Sequence, residues 1–209
     1  MPTTISDEAL MLEFRGGSRA AFEELFARYR GPLYGFFRRR LYRSTSDDQR
    51  AEDLMQETFL AVIRAADRYE PRSLVRTYLY GIAMNLLAAE RRKIAKEGPA
   101  IDEVAEPGGR QASDAVLWIR QALEKLDECE REILMLREFE QLSYAEIAEL
   151  QNLPVNTVRS RLFRARMALR ALLEPDARTS AVEAPGEPAD KIGLADRREG
   201  FVRATGRIP

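Results

Sequence analysis

Apolar residues recur along this chain at spacings of three and four, and no segment alternates convincingly at period two. That pattern predicts helices throughout and no sheet. A first short helix falls over about 5–15 and ends at Gly16-Gly17, a pair suited to a helix C-terminus. Ser18 is placed to cap a second helix reaching about Leu41, with Phe22, Leu25, Phe26, Tyr29, Leu33, Phe36 and Phe37 in one stripe. Pro32 should kink it, because proline has no N–H for the ladder and crowds the preceding turn. A third helix spans about 48–66, with Leu54, Phe59, Val62 and Ile63 as its buried side, and Asp67 to Pro71 breaks the pattern. The fourth runs over about 73–94, with Leu74, Tyr78, Leu79, Ile82, Ala83, Leu86 and Leu87 inward.

Residues 95–113 change character: Gly98, Pro99, Pro107, Gly108 and Gly109 appear among acids, with few large apolar residues. This composition reads as a flexible acidic linker. Helical spacing resumes near Ser113 with Val116, Leu117, Ile119, Leu123 and Leu126, and continues over about 128–139 with Ile133, Leu134 and Leu136. Ser143-Tyr144-Ala145-Glu146 has the form of a capping box. A helix to Leu150, a turn at Gln151-Asn152-Leu153, Pro154 at the next helix start and a last helix to about Leu173 follow. The fold class is all-α: a four-helix N-terminal domain over 1–94, a linker over 95–112 and a C-terminal helix-turn-helix domain over 113–173. Residues 174–209, broken by proline and glycine, read as a disordered tail.

Composition narrows the chemistry. The chain has no histidine and one cysteine, Cys129. That excludes Ser-His and Cys-His catalysis, zinc-finger spacing and an internal disulfide. No apolar run approaches the ~18 residues of a membrane span, and from the acidic start no secretory leader is expected. The expectation is a cytoplasmic protein without membrane insertion, and no cofactor or metal is expected. The net charge of −1 conceals segregation, since residues 157–173 carry five arginines and no acid.

That basic run belongs to the second helix of the helix-turn-helix. Thr157, Arg159, Ser160, Arg161 and Arg164 are left for the outside once Val158 and Leu162 pack inward. Arginine can bond guanine bidentately in the major groove, while Arg166 and Arg170, further along, suit phosphates. The fourth helix ends in Glu90-Arg91-Arg92-Lys93 and carries Arg76, with Tyr78 and Tyr80 between. Such mixtures suit melted strands whose bases stack on rings, although tyrosines at helical spacing also fill cores. On the third helix Asp53 and Glu57 lie four apart on one face. With no histidine, phosphate loop or EF-hand spacing nearby, a docking patch or solvated face fits them better than catalysis, so an enzyme ranks last.

At these residues the chain resembles the bacterial RNA polymerase sigma factors of the extracytoplasmic-function group. The likeness is carried by Ala51-Glu52-Asp53-Leu54-Met55-Gln56-Glu57-Thr58-Phe59-Leu60, by Tyr78-Leu79-Tyr80-Gly81-Ile82-Ala83-Met84-Asn85, and by the stretch from Leu153 to Arg166, in the family's order. The resemblance implies a non-enzymatic factor that binds core RNA polymerase and directs promoter-specific initiation. It implies that Asp53, Gln56, Glu57 and Phe59 dock the β′ clamp helices. It places Arg76, Tyr78, Asn85, Arg91, Arg92 and Lys93 near the −10 element, and the 67–72 loop at a flipped −10 base. Thr157, Arg159, Ser160, Arg161, Arg164 and Arg166 would serve the −35 element. Apolar residues of 113–140 would meet the β flap, and Asp102, Glu103 and Glu106 would imitate a phosphate chain. An anti-sigma factor is the implied regulator. The family usually has Trp at Tyr78, Arg at Met84, Asp at Ala89 and Gly at Asn156. The rival readings are a sigma mimic that sequesters an anti-sigma factor and a stand-alone helix-turn-helix repressor, which would have no use for the Asp53–Phe59 motif.

Overall fold

The computed structural model describes residues 5–41, 47–97 and 114–174. Among these, the chain forms helices α1 (Asp7–Arg15), α2 (Arg19–Leu41), α3 (Asp47–Ala65), α4 (Val75–Glu97), α5 (Asp114–Glu124), α6 (Glu128–Glu138), α7 (Tyr144–Gln151) and α8 (Val155–Leu173), with a 3₁₀ turn at Ala66–Arg68 and no strand. The turn and cap signals of the sequence largely appear in the fold. Ser6 Oγ accepts from Ala9 N–H and caps α1, and Ser18 Oγ accepts from Ala21 N–H at the start of α2. Between them Gly17 adopts φ +95°, a conformation that a side chain would strain. Asp127 caps α6. Both halves of the capping box of α7 form, with Glu146 N–H donating to Ser143 Oγ and Ser143 N–H to Glu146 Oε2. Asn152 then ends α7 in the left-handed region at φ 50°.

α2 remains helical through Pro32. α2 packs on α1 and α3, α3 on α4, and α8 on α5, α6 and α7. The largest fully buried side chains include Phe36, Phe37, Met11 and Leu33 in the first half of the chain and Ile133, Leu136, Ile147 and Leu162 in the second. Their buried neighbours form one connected apolar cluster through both halves, and α4 packs directly on α7.

Several expectations are corrected. Ile63 and Leu74, placed inward by spacing, are about half exposed. α4 extends to Glu97, three residues beyond the expected domain end at 94. Pro154 is the N-cap of α8 and lies just before its first turn. The rest of the expected linker, 98–112, and the tail 175–209 lie outside the described residues. No described helix is long and apolar enough to cross a membrane.

Candidate polymerase and nucleic-acid interface

On α3 the side chains divide into two stripes one residue apart. Met55, Phe59 and Val62 are buried, while Gln56, Leu60 and Ile63 face solvent. Phe59, expected at the docking face, is a core residue at 4% exposure. Its ring lies 4.7 Å from Phe26 and 6.0 Å edge-on from Phe22. Asp53, Gln56 and Glu57 are exposed as expected, and Leu60 and Ile63 extend their stripe, each 46% exposed. The result is an acidic face with an apolar end. Helical spacing alone could have found Leu60 and Ile63, because Asp53, Gln56, Leu60 and Ile63 follow one another at three and four.

α4 does not bring its candidates to one surface. Tyr78, Asn85 and Arg92 repeat at seven residues and share a stripe. Asn85 and Arg92 are exposed, and so is Lys93. Tyr78 is half-buried against Tyr69, ring centroids 5.4 Å apart, and burial raises its pKa. Arg15 steadies the adjoining loop by donating to the Tyr69 carbonyl at 3.1 Å. Arg91 lies 3.7 Å from Glu128. Arg76 points elsewhere. Its Nε donates to Glu146 Oε1 at 2.9 Å and its Nη2 to Glu146 Oε2 at 2.7 Å. Tyr80 is core, 2% exposed, and its hydroxyl donates to Glu140 Oε2 at 3.1 Å. Burial and the neighbouring carboxylate hold that phenol well above its ordinary pKa.

On α8 the buried stripe is Val158, Leu162 and Ala165. Arg159 and Ser160 are exposed, and Thr157 and Arg161 are partly so. Arg159 sits 6.0 Å from the Tyr144 ring. The arginine run is acid-free in sequence yet not in space. Arg164 pairs with Glu130 at 2.7 Å and Arg166 with Glu138 at 2.6 Å, both acids on α6. Sequence reasoning missed Phe163. At 66% it is the most exposed large apolar side chain described, and it continues the outward line of Asn156 and Ser160. Behind this helix, α5 presents Val116, Leu117, Trp118 and Ile119, all exposed. Among the described residues no cluster of carboxylates is arranged to hold a metal ion.

Comparison with known proteins decides the family. Residues 25–97 match the model of Sigma-70 region 2 and residues 117–169 that of Sigma-70 region 4. The RNA polymerase sigma-H factor of Pseudomonas aeruginosa is 32% identical over 192 residues, covering 84% of this chain and 97% of that protein. The chain belongs to the extracytoplasmic-function RNA polymerase sigma factors. The ECF RNA polymerase sigma-E factor of Escherichia coli strain K12 is also 32% identical, with 84% of this chain and 98% of that protein covered. Among solved structures, CnrH in complex with the cytosolic domain of CnrY superposes with TM-score 0.63 at 28% identity, over 82% of this chain and 99% of that one. The sigma factor RpoE bound to the anti-sigma factor NepR, from Bartonella quintana, gives 0.59 at 27% identity, over 74% and 98%.

This sigma factor is therefore a non-enzymatic factor that directs transcription initiation. The region 2 match takes in most of α2 and all of α3 and α4, which hold the acidic-apolar face and the Tyr78 stripe. The region 4 match takes in most of α5 to α8, including the helix-turn-helix.

Proposed function

We propose that this sigma factor docks core RNA polymerase through the outer stripe of α3, with Asp53, Gln56 and Glu57 supplying charge and hydrogen bonds to the β′ clamp helices. Leu60 and Ile63 supply the apolar area; Phe59 holds the helix in place from behind. The observation that carries this reading is the pair of half-exposed apolar side chains continuing an acidic face. Isolated exposed leucines need no explanation, but apolar groups aligned with exposed carboxylates on one helix suit a partner surface.

In this reading residues 1–94 form the core-binding and −10 domain, with α4 continuing to Glu97, and 113–173 form the −35 domain. Tyr78, Asn85 and Arg92 follow the melted −10 strand, with Arg91 and Lys93 on flanking phosphates. Arg76 joins them only after leaving Glu146. Arg159 and Ser160 approach base edges of the −35 element, with Thr157 and Arg161 beside them. Phe163 supplies an apolar contact of the kind that recognises a thymine methyl. Arg164 and Arg166 meet phosphates by exchanging Glu130 and Glu138 for the DNA backbone. The exposed apolar face of α5 suits the β flap. The protein works in the cytoplasm, where the polymerase is, and an anti-sigma factor holds it inactive; the anti-sigma factor NepR bound to the similar RpoE supports this reading.

The test is transcription with purified core polymerase on a library of promoter fragments. Core-dependent initiation at a shared pair of sequence elements is the expected result. Core binding without initiation would instead favour a mimic that sequesters an anti-sigma factor, and no core binding would overturn the assignment.

A further inference from the structure

Glu8, Met11 and Arg15 follow one another at three and four along α1 and so form one line on that helix. Met11, in the middle, is fully buried. The charged residues on either side of it both reach the segment that joins α3 to α4. Arg15 Nη1 donates to the Tyr69 carbonyl at 3.1 Å, and Glu8 Oε1 accepts from the Val75 N–H at 3.3 Å. The two side chains leave the helix about 10 Å apart, at ~1.5 Å per residue. They therefore hold the segment at two points, its turn and the start of α4. The Val75 N–H is one of the donors that a helix start leaves without an intrahelical acceptor, and a carboxylate there also complements the helix dipole.

The segment does little to hold itself. Within it, the Tyr69 N–H donates to the Ala66 carbonyl at 3.1 Å and the Arg72 N–H to the Glu70 carbonyl at 2.8 Å. The ion pair of Glu70 with Arg72 is exposed and adds little. Tyr69 is buried, yet its hydroxyl has no hydrogen-bond partner among the described residues. A buried phenol without a partner opposes this pose, so the pose depends on what else grips Tyr69: the Tyr78 ring on one side and Arg15 at its carbonyl. Asp67, Arg68, Glu70, Pro71 and Arg72 meanwhile stay exposed, beside the first residue of the Tyr78, Asn85 and Arg92 stripe.

α1 is itself anchored. Asp7 accepts from Arg28 Nη1 at 2.7 Å and from the Tyr29 hydroxyl, both on α2, and Leu10 is buried beside Met11. Support thus runs from α2 through α1 to the segment. α1 lies before the residues that match Sigma-70 region 2, so that match gives it no role.

We propose that α1 is a brace that sets the pose of the segment between α3 and α4, and that Arg15 and Glu8 are positioning residues for discrimination at the −10 base which that segment captures. A reading surface carried on a loop needs such support, because loops hold a geometry less precisely than helices do. The discrimination rests on the promoter reading above; the brace does not.

The full chain is tested in two measurements. Hydrogen exchange of the free protein, followed by mass spectrometry, reads the brace. Arg15 is exposed, so Arg15→Ala should fold. It should speed exchange about 5-fold or more in peptides covering 66–75 and leave those of α8 as in wild type. Glu8→Ala, which cuts the other end, should do the same. Transcription with core polymerase is then compared on fragments that vary one −10 base at a time and on fragments that vary only the −35 element. Arg15→Ala should cut the preference at one −10 base about 5-fold, the scale of one lost hydrogen bond, and leave the −35 preference unchanged. Arg15→Lys keeps a donor and Glu8→Gln keeps an acceptor, so both should retain most of the −10 preference. Tyr69→Phe removes only the unpartnered hydroxyl and should retain it fully. Unchanged exchange over 66–75 in Arg15→Ala would overturn the brace. Faster exchange with an intact −10 preference, or equal losses at −10 and −35, would overturn the positioning role. So would a loss in Tyr69→Phe as large as in Arg15→Ala, because the phenol itself would then be the reading group. Failure of the promoter reading looks different: wild type gives no core-dependent initiation, while the exchange data still decide the brace.

Discussion

Neighbouring residues Phe59 and Leu60 should behave as opposites, although both lie in the same family motif. Phe59 is 4% exposed and packed on Phe22 and Phe26. Truncation to alanine removes a buried ring and leaves a cavity, at a cost of about 3–5 kcal/mol. For a body of this size each kcal/mol moves the melting temperature by about 2–4 °C, so Phe59→Ala should lower it by roughly 6–20 °C. Leu60 is 46% exposed, and Leu60→Ala should change stability by no more than about 0.5 kcal/mol. Its cost appears on binding. Full burial of a leucine is worth about 1.5–3 kcal/mol, and roughly half of that surface is still available for a partner. Leu60→Ala should therefore lose about 1 kcal/mol of core affinity, about 5-fold in Kd. Thermal unfolding by circular dichroism reads the first effect, and fluorescence anisotropy with labelled sigma factor and core polymerase reads the second. If Phe59→Ala melted like wild type yet lost polymerase, the ring would be an interface residue and the assignment of stripes on α3 would be wrong.

Other outcomes follow from the same geometry. Burial pushes the Glu146 carboxyl up, but its hydrogen bonds from Arg76 and Ser143 outweigh this and hold it below the ordinary value of 4.5. Its stabilising contribution is thus complete above that ordinary value and is lost as pH falls through the lowered one. Acid unfolding curves should show a steeper loss for wild type than for Glu146→Gln in that window. Phe163→Ala should leave the melting temperature within about 2 °C and weaken binding to −35 fragments selectively at one thymine. Uracil substituted for that thymine should abolish the difference between the proteins. Asn152 holds φ 50° at the end of α7. Asn152→Gly should raise stability and Asn152→Val lower it, each by about 1 kcal/mol, as read by urea unfolding.

The sequence by itself determined the helices, their order and most of their ends, because these depend on local chemistry. Ser18, the Ser143–Glu146 box and Asn152 act within a few residues of themselves, and spacing at three and four marks a buried stripe wherever it falls. It also carried the family, since the motifs on α3, α4 and α8 are contiguous strings. Spacing did not separate Phe59 from Leu60 on α3, because an amphipathic pattern leaves the edge of its stripe ambiguous by one residue, a rotation of about 100°. Nor could it distinguish a solvated apolar face from a packed one on α5, since that depends on whether a neighbouring helix arrives. Only the tertiary structure decided the fate of the charges. Arg76 reads as a nucleic-acid contact from its neighbours, yet it is bound to Glu146, 70 positions away. Arg164 and Arg166 form part of an acid-free run, yet meet acids on α6. Ion pairs between distant residues leave no periodic trace in a chain, because they are chosen by how whole helices pack and not by the sequence beside them.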